Sequence, residues 1–210
     1  MTAFGSIVSA CSVAFILCVA ACAGSTDSSM EPLGSPFEEL EVGWTTLPTP
    51  PEVRSRAAIV WTGTELLVWG GYVFTGSGDK PAEADGYVFD ARGRRWGQLA
   101  RSPLAPRAYS ASAWTGEELL VWGGTDGRQE QFFDDGAAYD PETDSWRRLP
   151  RAPIGPRAPL SVWTGHEVIV WGTAVRVGDR PRDGAAYDPL GNTWRRIANA
   201  PIELTDATAA

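Results

Sequence analysis

Trp114-Thr115-Gly116, Leu120-Val121-Trp122-Gly123-Gly124, Asp135-Gly136-Ala137-Ala138-Tyr139-Asp140 and Trp146 follow one another in the middle of the chain. The same series stands before them as Trp61-Thr62-Gly63, Leu67-Val68-Trp69-Gly70-Gly71, Asp85-Gly86-Tyr87-Val88-Phe89-Asp90 and Trp96. It returns after them as Trp163-Thr164-Gly165, Ile169-Val170-Trp171-Gly172-Thr173, Asp183-Gly184-Ala185-Ala186-Tyr187-Asp188 and Trp194. A unit of about fifty residues in three copies signals an array in which each unit buries its apolar surface against its neighbours. Nine of the ten tryptophans belong to these triplets, and the tenth, Trp44, opens a stretch to Pro48 that matches Trp146 to Pro150.

Within a unit the apolar and β-branched runs are short and bounded by turn residues, which predicts four strands. In the first copy these are Ala57–Trp61, Glu65–Gly70, Gly86–Asp90 and Arg95–Ala100. Trp-Thr-Gly supplies the turn between strands one and two. Asp-Pro-Glu-Thr-Asp and Asp-Pro-Leu-Gly-Asn supply the turn between strands three and four. No segment holds a helical period, and 16 prolines with 23 glycines fit turns rather than long helices. The expected fold class is all-β, with three four-stranded antiparallel blades of a propeller. The indoles and phenols read as packing between twisted sheets.

An apolar run ending in a glycine pair, then a tyrosine, then a tryptophan seven residues on (Tyr139 to Trp146, Tyr187 to Trp194) resembles the kelch repeat. Phe89 replaces the tyrosine in the first copy, and Thr173 replaces the second glycine in the third. The Trp-Thr-Gly-x-Glu variant is similar to bacterial kelch-type proteins related to the central domain of galactose oxidase. The resemblance spans residues 44–200. It implies blades at 54–101, 102–152 and 153–200, after a lone leading strand and link at 43–53 and before a tail at 201–210. A closed ring ordinarily needs about four blades. Three therefore imply an incomplete, open propeller, self-association through the exposed end blades, or a truncated fragment with no function of its own.

The 210 residues are 43% hydrophobic and 21% charged, which excludes wholesale disorder. The net charge is −8, and residues 1–53 hold six acids and no Lys or Arg. The body is nearly neutral, which argues against a nucleic-acid partner. All three cysteines, Cys11, Cys18 and Cys22, lie in the leader. The body thus lacks a disulfide, a thiolate metal site and a thiol nucleophile. Ile7 to Ala23 is apolar and uncharged, and Val19-Ala20-Ala21-Cys22 resembles a bacterial lipobox. That resemblance implies a signal peptide at 1–21, lipid on Cys22, a membrane partner through that lipid, and a place in the cell envelope or outside the cell. Residues 22–42, rich in Ser, Pro, Gly and acids, read as a flexible acidic tether.

The connections between strands two and three are long and dissimilar: Tyr72–Ala84, Thr125–Asp134 and Ala174–Arg182. They share a face with the links Arg101–Arg107 and Arg151–Arg157. Variable loops on a rigid frame are the usual layout for binding, so a protein or a glycan is the expected partner. Arg54, Arg107 and Arg157 precede strand one of each unit. Two readings stand for them: a convergent set for an anionic ligand, or structural pairs with Asp85, Asp135 and Asp183 that stitch the blades together. No catalytic residue, cofactor or metal is assigned. Copper oxidase chemistry lacks its ligands, because the body has no cysteine and the single His166 sits in a turn. The rival reading is an enzyme acting on acidic sugars, with Arg107 and Arg157 holding the carboxylate.

Overall fold

The computed structural model describes residues 46–74, 79–126, 128, 130–172 and 182–201. The chain divides into Met1–Trp44 and Thr45–Ala210, and all described residues belong to the second unit. The signal peptide, Cys22, the tether and Thr173 lie outside the described residues.

Every regular element described is a strand. In chain order they are β1 (Arg54–Ser55), β2 (Ala58–Trp61), β3 (Glu65–Trp69), β4 (Tyr72–Phe74), β5 (Asp79–Ala82), β6 (Gly86–Asp90) and β7 (Arg95–Gln98). Then come β8 (Ala111–Trp114), β9 (Leu119–Trp122), β10 (Gly136–Asp140), β11 (Ser145–Arg148), β12 (Leu160–Trp163), β13 (Val168–Trp171), β14 (Gly184–Asp188) and β15 (Thr193–Ile197). Three four-stranded antiparallel sheets result: β2-β3-β6-β7, β8-β9-β10-β11 and β12-β13-β14-β15. They are the three expected blades, and the register repeats: Ala58 faces Trp69, Ala111 faces Trp122 and Leu160 faces Trp171.

The turns explain why the register is kept. In each Trp-Thr-Gly turn the threonine hydroxyl accepts the N–H of the glutamate three residues on, at the threshold of the next strand: Glu65 on Thr62, Glu118 on Thr115, Glu167 on Thr164, all at 3.0 Å. At the other end, Asp90, Asp140 and Asp188 accept the N–H two residues on, at 2.9, 2.8 and 3.0 Å. These side chains stand in for backbone turn bonds.

The apolar faces alternate with period two. On β9, Leu119 and Val121 face blade 1, where they join Ala58, Leu67 and Trp69, with Leu104 of the inter-blade link in the same cluster. Leu120 and Trp122 face blade 3, where they meet Val168, Val170 and Tyr187. All four residues of β9 are buried, as a central strand of the blade that has a described blade on each side. Trp69 leans on Trp146 of the next blade at 5.6 Å between ring centres, and Trp122 on Trp194 at 5.7 Å, both tilted. Such pairs add about 0.5–1.5 kcal/mol beyond area burial. The packing role of tryptophan fails at one position. Trp61 is 50% exposed and its neighbour Ile59 53% exposed, because the face of blade 1 toward the chain start has no blade described against it.

Two elements differ from the expectation. Tyr72–Ala84 is no simple loop: β4 and β5 form a hairpin, and β1 joins it in a fourth, three-stranded sheet ordered β1-β4-β5. The aromatic and β-branched run Tyr72-Val73-Phe74 accounts for it. Blade 2 keeps only a vestige, the bridges Ala108–Thr125 and Thr125–Phe132. Of the leading strand at 44–47, Trp44 and Thr45 lie outside the described residues, and Thr46 and Leu47 form no strand. Instead Pro48 gives its carbonyl to the Trp96 indole N–H at 2.9 Å, as Ala100 does for Trp146 at 3.0 Å.

Candidate functional site

The three arginines and three aspartates meet pair by pair. Arg54 Nη2 lies 2.7 Å from Asp85 Oδ1, Arg107 Nη1 2.8 Å from Asp135 Oδ1, and Arg157 Nη1 2.8 Å from Asp183 Oδ1. The three guanidinium side chains are 2%, 0% and 4% exposed, and their carboxylate partners 38%, 43% and 29%. Each arginine is thus the inner member of its pair, and the carboxylate is what solvent meets. The arginines do not present a convergent cationic surface.

Backbone groups complete the seats. Arg54 donates to the Gly70 carbonyl at 3.1 Å, Arg107 to Gly123 at 3.1 Å and to Ala105 at 3.0 Å, and Arg157 to Gly155 at 3.0 Å. The Arg107 guanidinium also lies over the Phe133 ring, 4.1 Å from its centre, a cation–π contact. Burial pulls the Arg107 pKa below its usual value against the pull of Asp135. For Arg54, burial acts the same way, but Asp85 and Glu52 outweigh it and the pKa rises. Arg157 holds the Asp183 carboxyl below the usual carboxylate range.

These pairs are structural in a different way from the one the sequence suggested. Each lies within one unit: Arg107 and Asp135 both belong to blade 2. At these positions it is the arginine's main chain, not its ion pair, that joins neighbouring blades. The Arg107 carbonyl accepts from Gly71 at 2.8 Å and its N–H donates to Glu83 at 3.1 Å, both in blade 1. Arg157 repeats this with Gly124 at 2.8 Å and Phe133 at 3.1 Å. The glycine pair exists for this approach. A Cβ on Gly70 would sit 2.7 Å from the Arg107 carbonyl oxygen, and one on Gly123 2.6 Å from that of Arg157.

Above the Arg107–Asp135 pair, a cleft of about 1110 Å³ opens between blades 1 and 2. Glu83 and Asp85 line it from the entry to β6, Gln98 and Leu99 from the end of β7, and the link Arg101–Pro106 runs along it. Asp135 and Arg148 close it from blade 2. Arg148 Nη1 stands 3.5 Å from Asp135 Oδ2, and its Nη2 holds the Pro103 carbonyl at 2.6 Å. The cleft therefore offers fixed carboxylate acceptors beside exposed guanidinium donors, a lining suited to a polar ligand with hydroxyl, amide or charged groups.

Asp85 and Asp135 reach this cleft; Asp183 and the three arginines are not part of its lining. Glu83 and Arg101 lie in the connection Tyr72–Ala84 and the link Arg101–Arg107 that the sequence placed on the binding face without singling either residue out, and Gln98 and Arg148 were missed. Only the position of Gln98 and Arg148 on strand four, two residues after the closing tryptophan, could have pointed to them. Also missed is the Tyr72–Tyr109 pair, with hydroxyls 3.4 Å apart and Arg56 over the Tyr109 ring at 5.2 Å. Asp134 is paired with Arg151 at 3.2 Å. His166 is exposed in its turn.

Comparison with known proteins gives the same architecture. Residues 39–206 match the family model of the KLHDC2/KLHL20/DRC7 Kelch-repeats domain. No curated protein matches the chain. Among solved structures, that of YjhT superimposes with a TM-score of 0.64 at 17% identity, over 76% of this chain and 56% of that one. The chain thus spans little more than half the length of this structural relative.

Proposed function

The chain belongs to the kelch-repeat family, and from that premise we propose that it is a binding scaffold whose inter-blade cleft takes a protein or a glycan. The observation that carries this reading is the orientation of the Arg–Asp pairs. Buried arginines pre-organise Asp85 and Asp135 at the cleft, and a ligand meets acceptors whose ordering cost is already met. Arg101, Arg148 and Gln98 add donors on the rim. The rival acidic-sugar enzyme relied on Arg107 and Arg157 to hold a carboxylate, and both are buried behind carboxylates of their own. That favours binding over turnover.

The location proposed for this scaffold is the bacterial envelope, with Cys22 carrying lipid and residues 22–42 holding the blades off an anionic surface. The support is the apolar run ending in Val19-Ala20-Ala21-Cys22.

A glycan array and a peptide array probed with the full chain test the reading. The expected result is retention of a defined set of ligands, lost in Arg101→Ala/Arg148→Ala, which alters only exposed side chains. Retention unaffected by that double substitution, or chemical turnover of a retained sugar, would overturn it. Metabolic labelling with a palmitate analogue, with and without Cys22→Ala, tests the anchor.

A further inference from the structure

We propose that the boundary between blades 1 and 2 carries a second binding site, one that takes the arginine side chain of a basic peptide. It lies at the opposite end of the strands from the inter-blade cleft and does not depend on the reading of that cleft. The site is defined by comparison with the boundary between blades 2 and 3, where the chain supplies the same group itself.

At that later boundary Glu118 holds Arg147 through Nε at 2.7 Å and Nη2 at 2.5 Å. Arg147 Nη1 crosses to blade 3 and donates to the Tyr187 hydroxyl at 3.0 Å and to Asn192 Oδ1 at 3.1 Å. Tyr187 in turn donates to Asn192 at 2.7 Å. One guanidinium thus joins a carboxylate on one blade to a phenol and an amide on the next. The Arg147 side chain is 37% exposed, so solvent reaches this place.

The boundary between blades 1 and 2 repeats the acceptors without the donor. Glu65 stands where Glu118 does, Tyr139 where Tyr187 does, and Asp144 where Asn192 does. Tyr139 packs with Leu67 and Trp69 of blade 1, as Tyr187 packs with Leu120 and Trp122 of blade 2. Gly97, however, replaces Arg147. Some apolar bulk is kept beside it, since Val88 pairs with Gly97 where Ala138 pairs with Arg147. The charge is not kept. Glu118 and Glu167 each hold an arginine, whereas among the described residues Glu65 holds none.

The exchange also adds a carboxylate. Glu118 and Arg147 cancel, while Glu65 and Asp144 are both negative. Asp144 is already oriented, because its Oδ1 accepts the Tyr139 hydroxyl and the Ala100 N–H, both at 2.8 Å. At the later boundary the position of Ala100 is taken by Pro150, which has no N–H to give. The pKa values follow the charges. Burial raises that of Tyr139, and the bond to Asp144 and the charge of Glu65 raise it further; for Tyr187, Arg147 works against burial. A planar guanidinium suits two carboxylates on facing blades better than a point-like ammonium does.

Glu65 also lines a cavity of about 660 Å³ formed by the turns of blades 1 and 2. Glu117, Asp140 and Glu142 stand in its wall, and none of them has an arginine or lysine partner among the described residues. Trp114 is in the same wall, a residue type on which guanidinium groups stack well. This room and surplus negative charge exceed what one guanidinium uses, and they fit a basic peptide rather than a small guanidine.

The test titrates the full chain calorimetrically with acetyl-Lys-Arg-Lys-amide. The expected result is saturable binding that Glu65→Gln weakens at least fivefold. Val88→Ala/Gly97→Arg, which grafts the blade 2 pair and so supplies the guanidinium from within, should weaken it at least as much. Peptides with citrulline or lysine in the central position should bind at least fivefold more weakly, and methylguanidinium at least tenfold more weakly. No saturable binding, or binding indifferent to Glu65→Gln, overturns the site. Equal binding of the citrulline or lysine peptide overturns the guanidinium, and methylguanidinium as tight as the peptide overturns the peptide as its source. Thermal melting checks the geometry without a ligand. Val88→Ala/Gly97→Arg should melt about 2 °C or more above Val88→Ala/Gly97→Gln, and the difference should vanish when Glu65→Gln is added. No difference, or one that survives Glu65→Gln, overturns the match between the two boundaries.

Discussion

Gly123→Ala and Gly116→Ala change the same atom count at two glycines with positive φ, and the structure predicts very different costs. Gly123 has φ 69° and Gly116 φ 100°, so both substitutions carry a backbone penalty of about 1–2 kcal/mol. Around Gly116 no atom lies within 4 Å of an added Cβ, and that penalty is the whole effect. At Gly123 the Cβ would meet the Arg157 carbonyl oxygen at 2.6 Å and Pro159 Cδ at 3.0 Å. That oxygen accepts the Gly124 N–H at 2.8 Å, so pushing it away weakens an inter-blade bond worth about 1 kcal/mol. It also moves the residue whose side chain is buried against Asp183, and overpacking of this kind adds about 1–3 kcal/mol. The expected losses are about 3–6 kcal/mol for Gly123→Ala and about 1–2 kcal/mol for Gly116→Ala. Urea unfolding reads them as shifts in midpoint at constant slope. Equal losses at the two sites would refute the idea that the glycine pair exists for the passage of the link strand.

Asp135→Ala leaves the buried Arg107 guanidinium without its counter-charge and should cost about 2–3 kcal/mol, discounted because the carboxylate is partly solvated. Adding Arg107→Met should recover part of that loss in a double-mutant cycle; strict additivity would deny the coupling. Trp122→Ala should cost about 3–5 kcal/mol and Trp61→Ala less than about 1 kcal/mol, compared by thermal melting, since one indole is enclosed and the other half in solvent. Arg157 depresses the Asp183 pKa and Arg195 depresses that of Glu167. A carboxyl with a depressed folded pKa contributes stability that is complete above its unfolded pKa and lost as pH falls through the folded one. Stability should therefore decline below about pH 4, and Asp183→Asn should shrink that acid-side loss, measured by urea midpoint against pH.

Blade number, strand order and the alternating faces were legible because they depend on local periodicity. Trp-Thr-Gly, the paired glycines and the turn aspartates Asp90, Asp140 and Asp188 each act within a few residues, and the three copies check one another. The β1-β4-β5 sheet was not legible, because Tyr72-Val73-Phe74 pairs with Arg54–Ser55 across a whole strand hairpin. The cleft was half legible. Asp85 and Asp135 stood out as repeated charges, but Glu83, Gln98, Arg101 and Arg148 come from three segments that only stacking of two blades brings together.

The amino-acid order alone determined that apolar rings at fixed intervals must be shared between successive sheets, since no single unit has enough interior to hide them. Which member of each Arg–Asp pair would face a ligand was decided only in three dimensions. Hydrogen bonds to the Gly70 and Gly123 carbonyls and the Phe133 ring seat Arg54 and Arg107 inward and leave their carboxylates at the surface, and a list of charges along the chain holds no information about depth.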